Sequence, residues 1–79
     1  MVNNSYIYEV KFYLSIMIYE KFLKNSWVLM DEYEKVIRYI YNDYVQYDNN
    51  KKSLLDSVND YIELRKDFIL ELLKSCIEK

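Results

Sequence analysis

Not one glycine or proline occurs in this 79-residue chain. These two residues usually punctuate a fold, glycine because it accepts positive φ and proline because it cannot continue a helix. Without them, breaks fall to Asn, Asp and Ser, whose short polar side chains favour turns. Such residues cluster at Asn25-Ser26 and at Asp48-Asn49-Asn50, and these two marks divide the chain into three segments of helical length.

The middle segment carries the clearest pattern. Tyr33, Val36, Ile37, Ile40, Tyr41, Tyr44 and Tyr47 recur at i, i+3, i+4, i+7, which gathers them on one helical face. Glu34, Lys35, Arg38 and Asn42 take the other face, with Asp31→Lys35 and Glu34→Arg38 at the i, i+4 spacing of helical ion pairs. Asp31, Glu32 and Glu34 stand in the first turn, where the helix dipole favours anions. The last segment opens on Ser53, a capping residue with Asp56 three positions on. Leu55, Val58, Ile62, Ile69, Leu72 and Cys76 then form its apolar stripe. The first segment is apolar on two sides: Phe12, Ile16, Tyr19 and Leu23 on one, Val10, Leu14 and Met17 on another. Its Tyr, Ile and Val also suit strands, but no partner strand is visible elsewhere, so helix is the better reading. A helix of this kind is either central in a bundle or shared with another chain.

The expected architecture is therefore all-α: a single domain over residues 1–79 with helices at about 5–24, 30–47 and 53–77. These form a three-helix bundle, an antiparallel helical hairpin with a longer C-terminal helix, about 36 Å from its rise per residue, packed across it. The apolar half of the chain contains no Ala. Large side chains at this density can build a core without staples and leave surface over for a second copy or a partner.

The inventory excludes several functions. Histidine is absent and Cys76 is the only cysteine, which removes a disulfide framework, a multi-ligand zinc site and the usual general base near neutral pH. No Gly-rich loop is there to cradle phosphate. Cys76 sits near the end of the last helix, where the dipole disfavours a thiolate, so it reads as a packed thiol. Asp48-Asn49-Asn50 resembles the opening of a calcium loop but lacks the turn glycine and the closing Glu. No catalytic residue, cofactor or metal site is expected. Net charge is −2, from 11 basic and 13 acidic residues, too balanced to imply nucleic acid or a membrane surface as the partner. Met1-Val2-Asn3-Asn4-Ser5 has no basic stretch of the secretory type. The longest uncharged run in the first half, Phe12 to Tyr19, falls far short of the ~20 residues of a membrane span. A soluble cytoplasmic protein is expected.

Residues 22–44 add a resemblance. Phe22-Leu23-Lys24-Asn25-Ser26-Trp27-Val28-Leu29-Met30-Asp31-Glu32-Tyr33-Glu34-Lys35-Val36 resembles the SHOCT-type short domain. In that family an amphipathic helix closes on a Leu-Leu-like pair, a charged residue and Gly. A hydrophobic-Ile-Thr turn and a Glu-Glu-Glu-Tyr/Phe-Glu-Lys-Ile helix start follow. Val28 matches the turn isoleucine and Glu32-Tyr33-Glu34-Lys35-Val36 the helix start, while Ser26 and Leu29 stand where the family has Gly and Thr. The resemblance implies a helical hairpin over residues 6–46, of a kind found on bacterial and mobile-element proteins and linked to self-association. It implies no catalytic residues.

Candidate contact residues come from the last helix and from exposed aromatics. Asp56, Asp60, Glu63, Asp67, Glu71 and Glu78 follow a spacing of 4, 3, 4, 4 and 7, which aligns them on the outward face with Lys74 among them. Such a stripe either is a solvated face or fits a basic groove on another protein. Arg65 interrupts the apolar stripe between Ile62 and Ile69, so it must snorkel, pair with a carboxylate such as Asp43, or mark a surface kept open for a partner. Trp27 in the turn and Tyr39 on the polar face of the middle helix are candidate interface anchors. The missing Ala, Gly, Pro, His and Thr, however, are the mark of AT-rich coding, which scatters tyrosine by itself. An acidic last helix disfavours direct nucleic-acid binding.

The leading expectation is a non-enzymatic interaction protein. It would be phage- or mobile-element-encoded and would inhibit a host nucleic-acid-handling machine of the CRISPR type through its acidic face. A SHOCT-like oligomerisation module is the alternative, with a small DNA-binding regulator behind it, and a homo-oligomer is expected.

Overall fold

The computed structural model describes residues 4–47 and 53–77; the turn expected at Asp48-Asn49-Asn50 and the acidic residue Glu78 lie outside them. The chain is all-helical, with four α-helices among the described residues: α1 Asn4–Ile18, α2 Met30–Tyr44, α3 Leu54–Leu64 and α4 Lys66–Leu73. No helix among the described residues is long and apolar enough to cross a membrane.

α1 turns Val10, Leu14 and Ile18 to the core, one step of four after another. The next buried residue is Leu23, five positions on, because the chain passes from α1 into a π-turn at Tyr19–Leu23. Hydrogen bonds that span five residues rather than four bring Leu23 back under Ile18. Leu23 therefore belongs to the core face, and not with Phe12, Ile16 and Tyr19 as a straight helix would have it. The Ser26 N–H then donates to the Leu23 carbonyl at 3.0 Å and closes the turn.

α2 buries Tyr33, Val36, Ile37, Ile40 and Tyr44, with Tyr41 and Tyr47 half-buried beside them, as its periodicity requires. Lys35 reaches back to Glu32 at 3.3 Å instead of to Asp31. The residue before the helix, Leu29, supplies no side-chain cap. Its extended backbone is instead tied to the far end of the chain: the Leu29 N–H donates to the Cys76 carbonyl at 2.7 Å, and Val28 forms an antiparallel bridge with Ile77.

The third expected rod is not one helix. α3 starts where Ser53 caps it, the Ser53 Oγ accepting from the Asp56 N–H at 3.2 Å. It stops at Leu64; Arg65 leaves helical geometry (φ −106°, ψ 25°) and α4 resumes at Lys66. A 3-10 turn, Lys74–Cys76, completes it. Ladder bonds survive on both sides, from the Arg65 N–H to the Tyr61 carbonyl (2.8 Å) and from the Ile69 N–H to the Arg65 carbonyl (2.9 Å). The buried face of α3 is Ser57, Val58, Tyr61 and Ile62, and the expected stripe member Leu55 is exposed. Ile69, Leu73 and Cys76 continue the core beyond the break. α1 packs against α2 and α3, and α2 against α4.

Candidate interaction surfaces

The break at Arg65 is where a charged residue meets an apolar stripe. Arg65 donates to Asp43 through two nitrogens, Nε to Oδ2 at 2.9 Å and Nη2 to Oδ1 at 3.1 Å. Its guanidinium lies 4.3 Å from the Phe68 ring centroid and 5.8 Å from that of Tyr47. The Tyr61 hydroxyl donates to the same Asp43 Oδ2 at 2.7 Å. Tyr44 and Tyr47 meet the Tyr61 ring edge-on at 5.3 and 5.6 Å. Burial alone would raise the Asp43 carboxyl, but the hydrogen bonds from Arg65 and Tyr61 outweigh it and hold the group below the usual carboxylate range. Burial, then the adjacent carboxylate, pushes the Tyr61 phenol well above its ordinary value. Of the roles weighed for Arg65, pairing with Asp43 is the one the structure shows. It joins α2 to the α3–α4 corner.

All five described members of the acidic set, Asp56, Asp60, Glu63, Asp67 and Glu71, are exposed. They are divided between two helices. Asp56, Asp60 and Glu63 sit on α3, and Asp67 and Glu71 follow the break on α4. Glu63 accepts from Lys21 of the π-turn at 2.9 Å, and this hydrogen bond lowers its carboxyl. Glu71 pairs with Lys74 at 2.8 Å. The set thus spans the break at Arg65 and is partly neutralised by cations.

Trp27 and Tyr39 are both exposed, as expected, but they stand on different surfaces. Trp27 lines a depression of about 480 Å³ with Tyr19, Lys24, Val28 and Met30. A larger groove, about 800 Å³, runs between α1 and α2, with Tyr8, Phe12, Met30, Tyr33 and Ile37 as its apolar lining. Glu9 and Lys11 stand on the α1 side of this groove, and Glu34 and Arg38 on the α2 side. Met30 belongs to both concavities, so they adjoin. Tyr39 lines neither.

Beneath the groove α1 and α2 are stitched together. The Tyr33 hydroxyl donates to the Ser15 carbonyl, and burial pushes the Tyr33 phenol up to about 12. Lys11 Nζ lies 5.1 Å from the centroid of the Tyr41 ring on the facing helix. The outer face of α1, opposite Val10 and Leu14, exposes Tyr8, Phe12, Ile16 and Tyr19. The sequence pattern places Phe12, Ile16 and Tyr19 on one apolar side of a helix that is central or shared with another chain, with Ile16 as a contact of that assembly, but it does not single out Tyr8. The 4-4-3 spacing that extends the stripe back to Tyr8 was the available signal. Met30 joins only through the fold and carries no sequence signal of its own.

Cys76 is fully buried, and burial raises its thiol, which suits packing and not nucleophilic attack. Compared with family models, curated proteins and solved structures, the chain matches none of them.

Proposed function

We propose that this chain acts by binding another macromolecule and not by catalysis, and that the outer face of α1 with the adjoining α1–α2 groove is its principal contact surface. In this reading α3 and α4 together serve as the third rod of a bundle whose task is to hold that face in shape. The observation that carries it is the exposure of a contiguous aromatic stripe on a helix whose other side already fills the core. Aromatic residues and methionine are what protein interfaces gather at their centres. An apolar patch of a few hundred Å² is about the largest that a typical monomer exposes, and patches of that size are often functional.

The test is site-specific photo-crosslinking in cells that make the protein, with the reactive residue placed at Phe12 or, in parallel, at Asp60. Protein adducts concentrated at position 12 support the reading. Equal labelling from both positions, or none from position 12, overturns it.

A second reading keeps the acidic face as a contact for a basic, nucleic-acid-binding partner, as in the inhibitor expectation. It draws on the exposure of Asp56, Asp60, Glu63 and Asp67. Adducts confined to position 60, and lost when Asp60, Glu63 and Asp67 are reversed to Lys with helicity intact, would favour it over the first.

A further inference from the structure

Three properties of the α1 face bear on what covers it: its area, its relief and the signs of its charges. Tyr8, Phe12 and Tyr19 are 74%, 59% and 39% exposed, and Trp27 in the adjoining depression is 82% exposed. Aromatic side chains bury about 150–250 Å² each when covered, so these four alone offer roughly 500 Å² of apolar surface, to which Ile16 and Met30 add. A standard interface buries about 1,600 Å² over both partners, of which about 65% is apolar in homodimers, or about 1,000 Å². Two such faces supply that amount.

The relief is self-matching. A ridge, Tyr8–Phe12–Ile16 at steps of four, forms the α1 wall of the groove between α1 and α2, which Tyr8 and Phe12 line. Side-chain ridges at i±4 spacing pack into grooves of the same kind. A two-fold axis lets each copy use its ridge and its groove once. The groove's charges are balanced on both sides, Glu9 with Lys11 and Glu34 with Arg38. A strongly basic or strongly acidic partner gains nothing from such a groove. A second copy brings the same two acids and two bases, so opposite signs can meet across the axis.

We infer that the face is covered by a second copy of this chain, in a two-fold pair that seats the Phe12 ridge of each copy in the α1–α2 groove of the other. This rests on the interaction reading above and deepens it by naming the occupant. The pair is closed, because an isologous contact uses up the same surface on both copies and leaves none to continue a filament.

Sedimentation equilibrium of the purified full chain from about 1 to 100 μM tests it, beside Phe12→Glu, Tyr8→Ala and Tyr39→Glu variants. The expected result is a species of twice the 9.8 kDa chain mass. Phe12→Glu should raise the dissociation constant roughly 100-fold or more, since each dimer carries the change twice and an anchor loss is worth tenfold or more per copy. Tyr8→Ala should raise it about tenfold, and Tyr39→Glu should leave it unchanged. All three positions are exposed, so circular dichroism should show unaltered helicity, and Tyr8→Ala keeps the test decisive if the Glu variant misfolds. A monomer throughout, or a dimer as sensitive to Tyr39→Glu as to the other two changes, overturns the inference. The crosslinker at Phe12 separates this failure from that of the broader reading. Adducts of doubled chain mass support the pair, adducts to a different protein from a monomeric chain leave only the broader reading, and no adduct removes both.

Discussion

Replacing Asp43 by Ala removes the acceptor that Tyr61 and Arg65 share. The Tyr61 hydroxyl is then left in a nearly closed site with only the Ile40 carbonyl, at 3.4 Å, to receive it. A hydrogen bond to a charged acceptor contributes about 1.5–3 kcal/mol, and an orphaned buried hydroxyl costs about 1–3 kcal/mol. The Arg65 side chain is about a third exposed and can turn to water, so its share is discounted. A loss of about 2 kcal/mol is expected, which in a domain of this size lowers Tm by about 8–16 °C. Asp43→Asn keeps an acceptor for Tyr61 and should fall between the variant and the parent. Thermal and urea melts followed by circular dichroism measure both. In the double variant Asp43→Ala/Tyr61→Phe the two losses should not add, because both remove one bond. The pH dependence has a fixed sign. The folded pKa of Asp43 lies below its unfolded value, so the stabilisation is complete above about pH 3.9 and is lost as the pH falls through the lower folded value. The gap between parent and Asp43→Asn should hold from neutrality to about pH 5 and close only in stronger acid. A Tm within about 3 °C of the parent for Asp43→Ala, or strict additivity in the double variant, would refute this account of the corner.

Other expectations concern different parts of the molecule. Ile37→Asp places a carboxylate in the closed core and should unfold the chain, with urea curves showing a loss above about 3 kcal/mol, whereas Ile16→Asp on the outer face should leave helicity intact. Ser53→Ala should lower stability by about 1 kcal/mol through loss of the α3 cap, measured in the same way. Native Cys76 should react with a thiol reagent at least 100-fold more slowly than the unfolded chain, since its thiol is buried and its pKa raised; equal rates would show that the C-terminal turn is open. Tyr33 is raised by burial to about 12, so its contribution is complete below about pH 10 and lost as the pH climbs through 12. Phenolate absorbance of Tyr33, Tyr44 and Tyr61 should therefore appear last and together with loss of ellipticity.

Where one periodicity dominated, the residues told the structure directly. α2 needed only its alternation of threes and fours, and α3 announced its first turn through Ser53. Arg65 was harder: a cation inside an apolar stripe predicted a carboxylate partner, and Asp43 was the right one, but not that the backbone would leave the helix to reach it. Helix continuity is decided by tertiary contacts as much as by propensity. Nothing resembling a conventional breaker stands at position 65. The π-turn was hidden for a similar reason, since a five-residue step from Ile18 to Leu23 is invisible to a search at fixed 3.6 spacing. The outer face of α1 was half seen: two apolar sides were evident, but which side would be covered depended on where α2 and α3 packed.

The bond from the Leu29 N–H to the Cys76 carbonyl has a bearing on the order of assembly. It ties the threshold of α2 to a residue 47 positions later, one of the longest-range pairings among the described residues. During synthesis that threshold stays without this bond until the chain through Cys76 has left the ribosome. The first two helices can meet early, but the start of α2 is locked only once Cys76 arrives, and a nascent chain halted before Cys76 should never reach the protease resistance of one that includes it.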